Sequence, residues 1–129
     1  MAYLLPDRID IHIEVPAVKY RELAEQSEGE SSAVIAKRVE AERGIQLERF
    51  KVYCNAHMTP RHIRKFCELD AAVNRMLELV IDRPRALGPL YYTRILKVAR
   101  TIADLEGSEN ICEQLAEAIQ YRSLDRKTG

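Results

Sequence analysis

The feature that most constrains the fold is a long apolar stripe at helical spacing in the C-terminal half of the chain. It lies in the segment PLYYTRILKVARTIADLEG, where apolar residues recur every three or four positions. The stripe consists of Tyr92, Ile95, Leu96, Ala99, Ile102 and Ala103. Gly107 follows, and glycine readily adopts the left-handed conformation that ends many helices. Because a helix with one apolar face must pack against other elements, this segment predicts a helical core.

Four further segments have the same helical character. The residues expected to cap three of these helices are Ser31 or Ser32, Thr59 and Asp70. The short helix after Thr59 begins with Pro60, and the last helix runs from about Cys112 to Tyr121. The side chains expected to face the core are Ile35, Val39, Leu47, Phe50, Ile63, Phe66, Val73, Met76, Leu77, Val80, Leu115, Ala118 and Ile119. The sequence therefore predicts an all-α helical bundle of four or five helices.

One segment breaks this pattern. From Ile9 to Val15 apolar and polar residues alternate, which is typical of a half-buried strand, and Pro16 ends the alternation. A strand without a neighbour cannot satisfy its backbone groups. The segment is therefore a stray N-terminal strand whose partner is another molecule or the missing part of a larger protein.

Composition excludes several classes of function. Twenty basic and twenty acidic side chains cancel to a net charge of zero, so the chain has no overall field that favours nucleic acid or an acidic membrane. Since it also contains no membrane-length apolar run and no secretion signal, we expect a soluble, cytoplasmic protein. The three cysteines are expected to be reduced thiols. The spacing C-x2-H-x4-H-x4-C from Cys54 to Cys67 matches no common zinc arrangement, so no metal site is predicted.

The sequence offers little catalytic chemistry of its own. It contains no glycine-rich phosphate loop, no G-x-S-x-G motif and no apolar pair of carboxylates. Arg94, Lys97 and Arg100 instead follow one another at three-residue spacing along the long helix. Arg94 borders the apolar stripe, where it could extend its guanidinium to a phosphate or simply cover the edge of the core.

Several motifs, in order along nearly the whole chain, carry a resemblance to a known family. They are DRIDIHIEVP (7–16), GESS (29–32), NA (55–56), RILKVARTIADLEG (94–107), EA (117–118) and YRSLDR (121–126). Together they resemble the C-terminal part of magnesium-chelatase-like AAA+ ATPases of the ComM/YifB group. KVARTIADLEGS and YRSLDR are the specific parts of this match.

The resemblance implies an architecture. Members of the family have an ATP-binding core with Walker A and Walker B motifs, followed by a helical lid, and they form rings with ATP between subunits. Because the Walker motifs are absent here, residues 1–16 would be the end of the core and residues 17–129 the lid. We expect residues 1–16 to be disordered or rearranged without that core. The fragment itself would be no enzyme and would need no cofactor, whereas its parent would be an ATPase that uses ATP and Mg.

The resemblance also implies roles for individual residues. The family's arginine finger matches Arg8, which would reach the ATP held by the adjacent subunit of the ring. The family's second-sensor arginine aligns with Leu90, which cannot pair with a phosphate. Arg94 lies one turn further along the same helix face and could replace it as an ATP-binding residue.

The function implied is that of a lid that couples ATP binding and hydrolysis to ring conformation. Its partners would be its own core, the neighbouring subunits and, in the parent protein, DNA, since the ComM group is associated with DNA processing and branch migration. A subunit piece of a true magnesium chelatase is one alternative. A stand-alone helical module that binds DNA or protein is another.

Overall fold

The computed structural model describes residues 9–25, 29–51, 54–81 and 89–122, and within these residues the chain is all-α. The helices are α1 (Tyr20–Ala24), α2 (Ser32–Phe50), α3 (Pro60–Phe66), α4 (Ala71–Ile81), α5 (Pro89–Glu106) and α6 (Cys112–Gln120), with a 3-10 turn at Asn55–His57 between α2 and α3. The predicted helical bundle is therefore confirmed. None of the described helices is both long enough and apolar enough to cross a membrane.

Helix α5 lies at the centre of the bundle. Its predicted stripe is confirmed, because Ile95, Leu96, Ala99 and Ala103 are at most 1% exposed. Helix α6 packs along it through Leu115 and Ala118. The remaining buried apolar side chains are Phe50, Met58, Ile63, Cys67, Leu77, Tyr91 and Ile111. Every element from the end of α2 onward thus contributes to one core around α5.

The predicted helix caps are confirmed. Ser31 Oγ accepts a hydrogen bond from Val34 N at 3.3 Å, and Thr59 Oγ1 accepts one from His62 N at the same distance. Asp70 Oδ1 accepts one from Val73 N at 2.8 Å. Gly107 ends α5 with a φ of 72°, the left-handed conformation expected of it. The sequence was sufficient to predict these three side-chain caps, because each capping side chain accepts a hydrogen bond from a backbone amide only three residues further along the chain.

The predicted apolar side of α2 is largely wrong. Ile35, Val39 and Leu47 are 42%, 45% and 56% exposed. Phe50 is buried as predicted, whereas the other buried positions are the polar residues Glu42 and Gln46, and all three belong to the last nine residues of the helix. The helix meets the bundle only at its C-terminal end, so its earlier apolar residues have no described surface to cover them. Met76 in α4, also expected to be buried, is 48% exposed.

The alternating segment before α1 forms no β-ladder with any described residue. Ile9, Ile11, Ile13 and Val15 are all exposed, which differs from the half-buried strand that the alternation predicts. The reason is physical: a strand buries one face only when a sheet lies beneath it. We call residues 9–25 and 29–41 the N-terminal arm, and the described residues from Glu42 onward the bundle.

Candidate functional site

Helix α5 brings its three basic residues to different surroundings. Arg100 is 4% exposed and turns into the bundle. Lys97 Nζ donates to the carbonyl oxygen of Ala56 at 3.0 Å, which fixes the 3-10 turn against α5. The Arg94 side chain is 29% exposed and its Nε lies 3.7 Å from Asp10 Oδ1. Arg94 and Lys97 are therefore both partly exposed, and of the three basic residues only Arg100 is buried.

A buried ionic network is centred on Asp104. Its two carboxylate oxygens accept hydrogen bonds from Arg49 Nη1 and Nη2 at 2.9 and 2.7 Å. Arg100 Nε and Asn55 Nδ2 donate to the same carboxylate at 3.1 and 2.8 Å. Gln46 Oε1 extends the network by accepting from Asn55 N at 2.7 Å. The network therefore ties the end of α2, the 3-10 turn and α5 together.

Electrostatics keeps this network charged. Burial alone would raise the pKa of Asp104, but the hydrogen bonds from Arg49 and Asn55 and the positive charge of Arg100 hold the pKa of that carboxyl below its usual value. Arg100 also donates to the carbonyl oxygens of Phe66, Ser108 and Glu109. Because its donors are occupied by these partners, Arg100 orders the turn between α5 and α6 and does not face a ligand.

Residues 9–12 of the arm return to the bundle where α5 begins and α6 ends. His12 N donates to the carbonyl oxygen of Tyr121 at 2.7 Å, and Arg122 Nη1 donates to the carbonyl oxygen of Ile9 at 3.1 Å. The carboxylate of Asp10 lies 3.6 Å from Arg122 Nη1, in addition to its contact with Arg94. We call this set of contacts the Asp10 clamp.

Arg122 is the rigid part of the Asp10 clamp. Its side chain is 2% exposed, and its guanidinium lies over the ring of Tyr91, 5.1 Å from the ring centroid. Such cation–π contacts stabilise a guanidinium most when it is shielded from water. Arg122 therefore connects the end of α6 to the start of α5, and presents one edge of its guanidinium to the arm.

The predicted finger Arg8 lies outside the described residues, but the residue after it does not. Ile9 and Asp10 belong to the Asp10 clamp. Arg94 contacts Asp10, which stands two residues after Arg8. Leu90 is part of α5, and its side chain is outside the described ones.

The cysteines and histidines between α2 and α4 form no metal cluster. No group of three or more His, Cys, Asp or Glu side chains in the described part of the chain could hold an ion. Cys54 Sγ lies 3.4 Å from His57 Nδ1, and Cys67 is buried among apolar side chains. Burial raises the pKa of Cys67 to about 11, whereas hydrogen bonds from Arg43 and two backbone amides outweigh desolvation and lower the pKa of Cys54.

Two shallow clefts lie beside Asp70, between the end of α3 and the start of α6. One, of about 410 Å³, is lined in part by Glu68, Asp70 and Glu109. The other, of about 400 Å³, is lined in part by Asp70 and Glu113. Lys65 also lines the first cleft, but acidic side chains outnumber basic ones in both clefts and disfavour the phosphates of a nucleotide. The basic surface around Arg94 is the better candidate for an anionic ligand.

Comparison with known proteins identifies the family. Residues 29–122 match the family model described as "Magnesium chelatase, subunit ChlI C-terminal". The chain belongs to this family. It is 41% identical over 122 residues to the "Uncharacterized protein YifB" of Salmonella typhimurium and 38% identical to the "Competence protein ComM" of Haemophilus influenzae. Both alignments cover 93% of this chain and 24% of the relative.

The comparisons confirm the resemblance seen in the sequence: the chain is a C-terminal domain of the magnesium-chelatase-like ComM/YifB group. It spans about a quarter of the length of these curated relatives. The roles of Arg8 and Arg94 stay predictions. Sequence reasoning assigned no role to Asp10, Arg122 or Arg49, although Asp10 and Arg122 lie inside the motifs DRID and YRSLDR that carried the resemblance.

Proposed function

We propose that this domain is the helical lid of a ring-forming AAA+ ATPase. It would couple ATP binding and hydrolysis in the core to the conformation of the ring, with Arg8 acting on ATP held by the neighbouring subunit and Arg94 contacting the phosphates of its own subunit's nucleotide. The observation that carries this proposal is the contact between Arg94 and Asp10. It places an accessible guanidinium on the lid next to the segment that bears the predicted finger.

The described residues offer a contact for a phosphate. Arg94 offers a guanidinium of the kind that forms paired hydrogen bonds with phosphate oxygens. Among the residues that the structure describes, no group of three or more His, Cys, Asp or Glu side chains could hold a metal ion, and the two clefts beside Asp70 carry more acidic than basic side chains. ATP, when bound to the parent protein, supplies the phosphoryl group for hydrolysis. The lid would contribute a positive charge that stabilises the phosphoryl group during hydrolysis. It would also move when the phosphate is released.

The experiment is ATP turnover by the longer parent protein carrying Arg8→Ala. A finger in trans predicts that turnover falls about a thousandfold or more while ATP affinity changes little, because the finger acts on charge that develops in the transition state. Arg21→Ala is the matched control, since Arg21 is an exposed arginine of the same arm. Unchanged turnover in Arg8→Ala would overturn the assignment.

Arg94→Ala tests the second role separately. Loss of one charged hydrogen-bonding group is expected to weaken ATP binding about tenfold or more in the same protein. An unchanged ATP affinity would contradict the assignment of Arg94 as an ATP-binding residue.

The substrate of the parent machine is the part of the proposal that rests on the relatives. The resemblance to the ComM group implies a role in DNA processing, such as branch migration, and similarity to a protein named for competence is compatible with this role. We therefore expect branched DNA to stimulate ATP turnover of the parent protein. The family description favours a second candidate, a magnesium chelatase subunit. Stimulation by a tetrapyrrole and Mg²⁺, with no response to DNA, would favour that candidate. A parent without any ATPase activity would instead indicate a stand-alone binding module.

A further inference from the structure

The Asp10 clamp joins the lid to the backbone immediately after Arg8. The carbonyl group that Arg122 holds belongs to Ile9, the residue next to the predicted finger. Arg8 is joined to Ile9 by a peptide bond, so the Asp10 clamp acts on the residue next to the predicted finger. Arg122 is itself fixed by burial and by Tyr91. A movement of α5 against α6 would therefore be passed to the finger.

We propose that Asp10 is a positioning residue for the arginine finger, held by Arg94 and Arg122 so that the lid sets the placement of Arg8. This inference rests on the proposed function of Arg8 as a finger. It adds a regulatory element to that function: Arg94, on the lid, would contact either Asp10 or a bound phosphate. When Arg94 turns to a phosphate, Asp10 keeps Arg122 as its only described cation, and the finger is held less tightly.

The strengths of the contacts suit this role. The two ion pairs of Asp10 are 3.6 and 3.7 Å long, and its side chain is 52% exposed. Ion pairs of this kind contribute little to folding stability, and they can break and form again at small cost. The backbone hydrogen bonds of Ile9 and His12 are shorter, at 3.1 and 2.7 Å. Asp10 is thus better suited to adjusting the position of residues 9–12 than to stabilising the fold of the bundle.

The experiment compares Asp10→Asn with Glu14→Gln in the longer parent protein. Glu14 is an exposed carboxylate four residues further along the same segment, so the control removes the same charge outside the clamp. We expect Asp10→Asn to lower kcat about threefold to fivefold, the size that the loss of exposed ion pairs allows, and to change KM for ATP less than about twofold. Glu14→Gln should match the wild type, and Asp10→Glu should restore part of the lost kcat.

A second readout uses the present chain. Amide exchange at His12 should be slowed by its bond to Tyr121 and should become faster in Asp10→Asn, while the Tm of the bundle stays unchanged. A large loss of Tm would instead show that Asp10 is a structural residue, and would overturn the inference.

The possible failures are distinguishable. If Arg8→Ala leaves turnover intact, the proposed function of Arg8 fails and the inference fails with it. If Arg8→Ala abolishes turnover but Asp10→Asn retains the wild-type kcat, the finger stands and only the positioning role is overturned.

Discussion

In the N-terminal arm and in the bundle alike, about half of the described residues are apolar, but the two regions differ in how many of these they bury. Ten large apolar side chains of the arm are exposed, from Ile35 at 42% to Tyr20 at 83%, and none of the residues described there is buried. The bundle buries thirteen apolar side chains in one cluster. The same chain therefore contains one region that is stabilised by burial and another that is not.

Helix α2 belongs to both regions and shows what the difference means. Its arm part is supported by local interactions, the Ser31 cap and the 2.8 Å ion pair between Arg38 and Glu30. Its bundle part is supported by the buried Arg49–Asp104 pair and by Phe50, whose ring meets that of Phe66 edge-on. Such local interactions stabilise a helix only weakly in water, so they are not sufficient by themselves to keep the arm part of α2 helical. The following predictions test this division, from the largest expected effect to the smallest.

Asp104→Asn should destabilise the bundle by about 3 kcal/mol, because it leaves the buried Arg100 and the partly buried Arg49 without their counter-charge. Urea unfolding measures the loss. Asp70→Asn is the matched control: it removes an exposed charge, keeps a capping oxygen and should stay within about 0.5 kcal/mol of the wild type.

The effect of Asp104→Asn should also depend on pH. The pKa of Asp104 is lowered by folding, so its stabilisation is complete above the unfolded-state pKa of about 3.9 and is lost as the pH falls through the folded-state pKa. The difference between wild type and variant should therefore shrink at acidic pH. A difference that is independent of pH would contradict the ionic account.

Leu115→Ala and Leu23→Ala compare the same truncation in the two regions. Leu115 is fully buried in α6, so its loss should cost about 2–5 kcal/mol of unfolding free energy. Leu23, 69% exposed in α1, should cost less than about 0.5 kcal/mol. A large loss of unfolding free energy in Leu23→Ala would show that α1 packs on the bundle in solution.

Thr59→Ala and Ser31→Ala remove two helix caps of equal hydrogen-bond length, 3.3 Å. The Thr59 cap begins α3 inside the bundle, so its loss should lower global stability by about 1 kcal/mol. The Ser31 cap begins the arm part of α2, which can fray alone, so the global loss should be only about 0.3 kcal/mol. Equal losses in chemical denaturation would show that α2 unfolds with the bundle as one unit.

Glu42→Gln examines the point where α2 enters the bundle. Glu42 is 6% exposed, and its Oε1 has no hydrogen-bond partner. Burial, followed by the nearby charge of Asp104, raises its pKa. The ionised form therefore weakens the fold as the pH rises through that pKa, and Glu42→Gln should stabilise the protein at pH 7 by up to about 1 kcal/mol. The gain should vanish near pH 4, and Glu40→Gln, an exposed control on α2, should show none. A loss of stability in Glu42→Gln at pH 7 would contradict this account.

The part of the fold that the sequence predicts is the part governed by short-range chemistry. The caps at Ser31, Thr59 and Asp70 and the stop at Gly107 depend on bonds spanning a few residues, and all four are confirmed. The stripe of α5 is confirmed because that helix is covered on its apolar side along most of its length. Periodicity failed for α2, since a pattern shows which residues share a face and does not show whether anything covers that face.

The candidate site was less accessible to sequence reasoning because its contacts are long-range. Arg122 and Ile9 are separated by 113 positions, and Arg49 and Asp104 by 55. Spacing along one helix grouped Arg94 with Lys97 and Arg100, whereas only three-dimensional packing shows that Arg100 is occupied by backbone carbonyls. The motifs DRID and YRSLDR carried the resemblance to the family. The contact between their residues Asp10 and Arg122, however, is apparent only from the structure.

The most direct test of the proposed function is ATP turnover in mixed rings of the parent protein. One subunit type carries Arg8→Ala, and the other has an intact Arg8 but a replaced phosphate-binding lysine in its core, so that each is inactive alone. A finger that acts in trans predicts that mixing the two restores turnover, because an intact nucleotide site then lies next to an intact Arg8. Mixed rings that remain as inactive as either subunit alone would contradict the account.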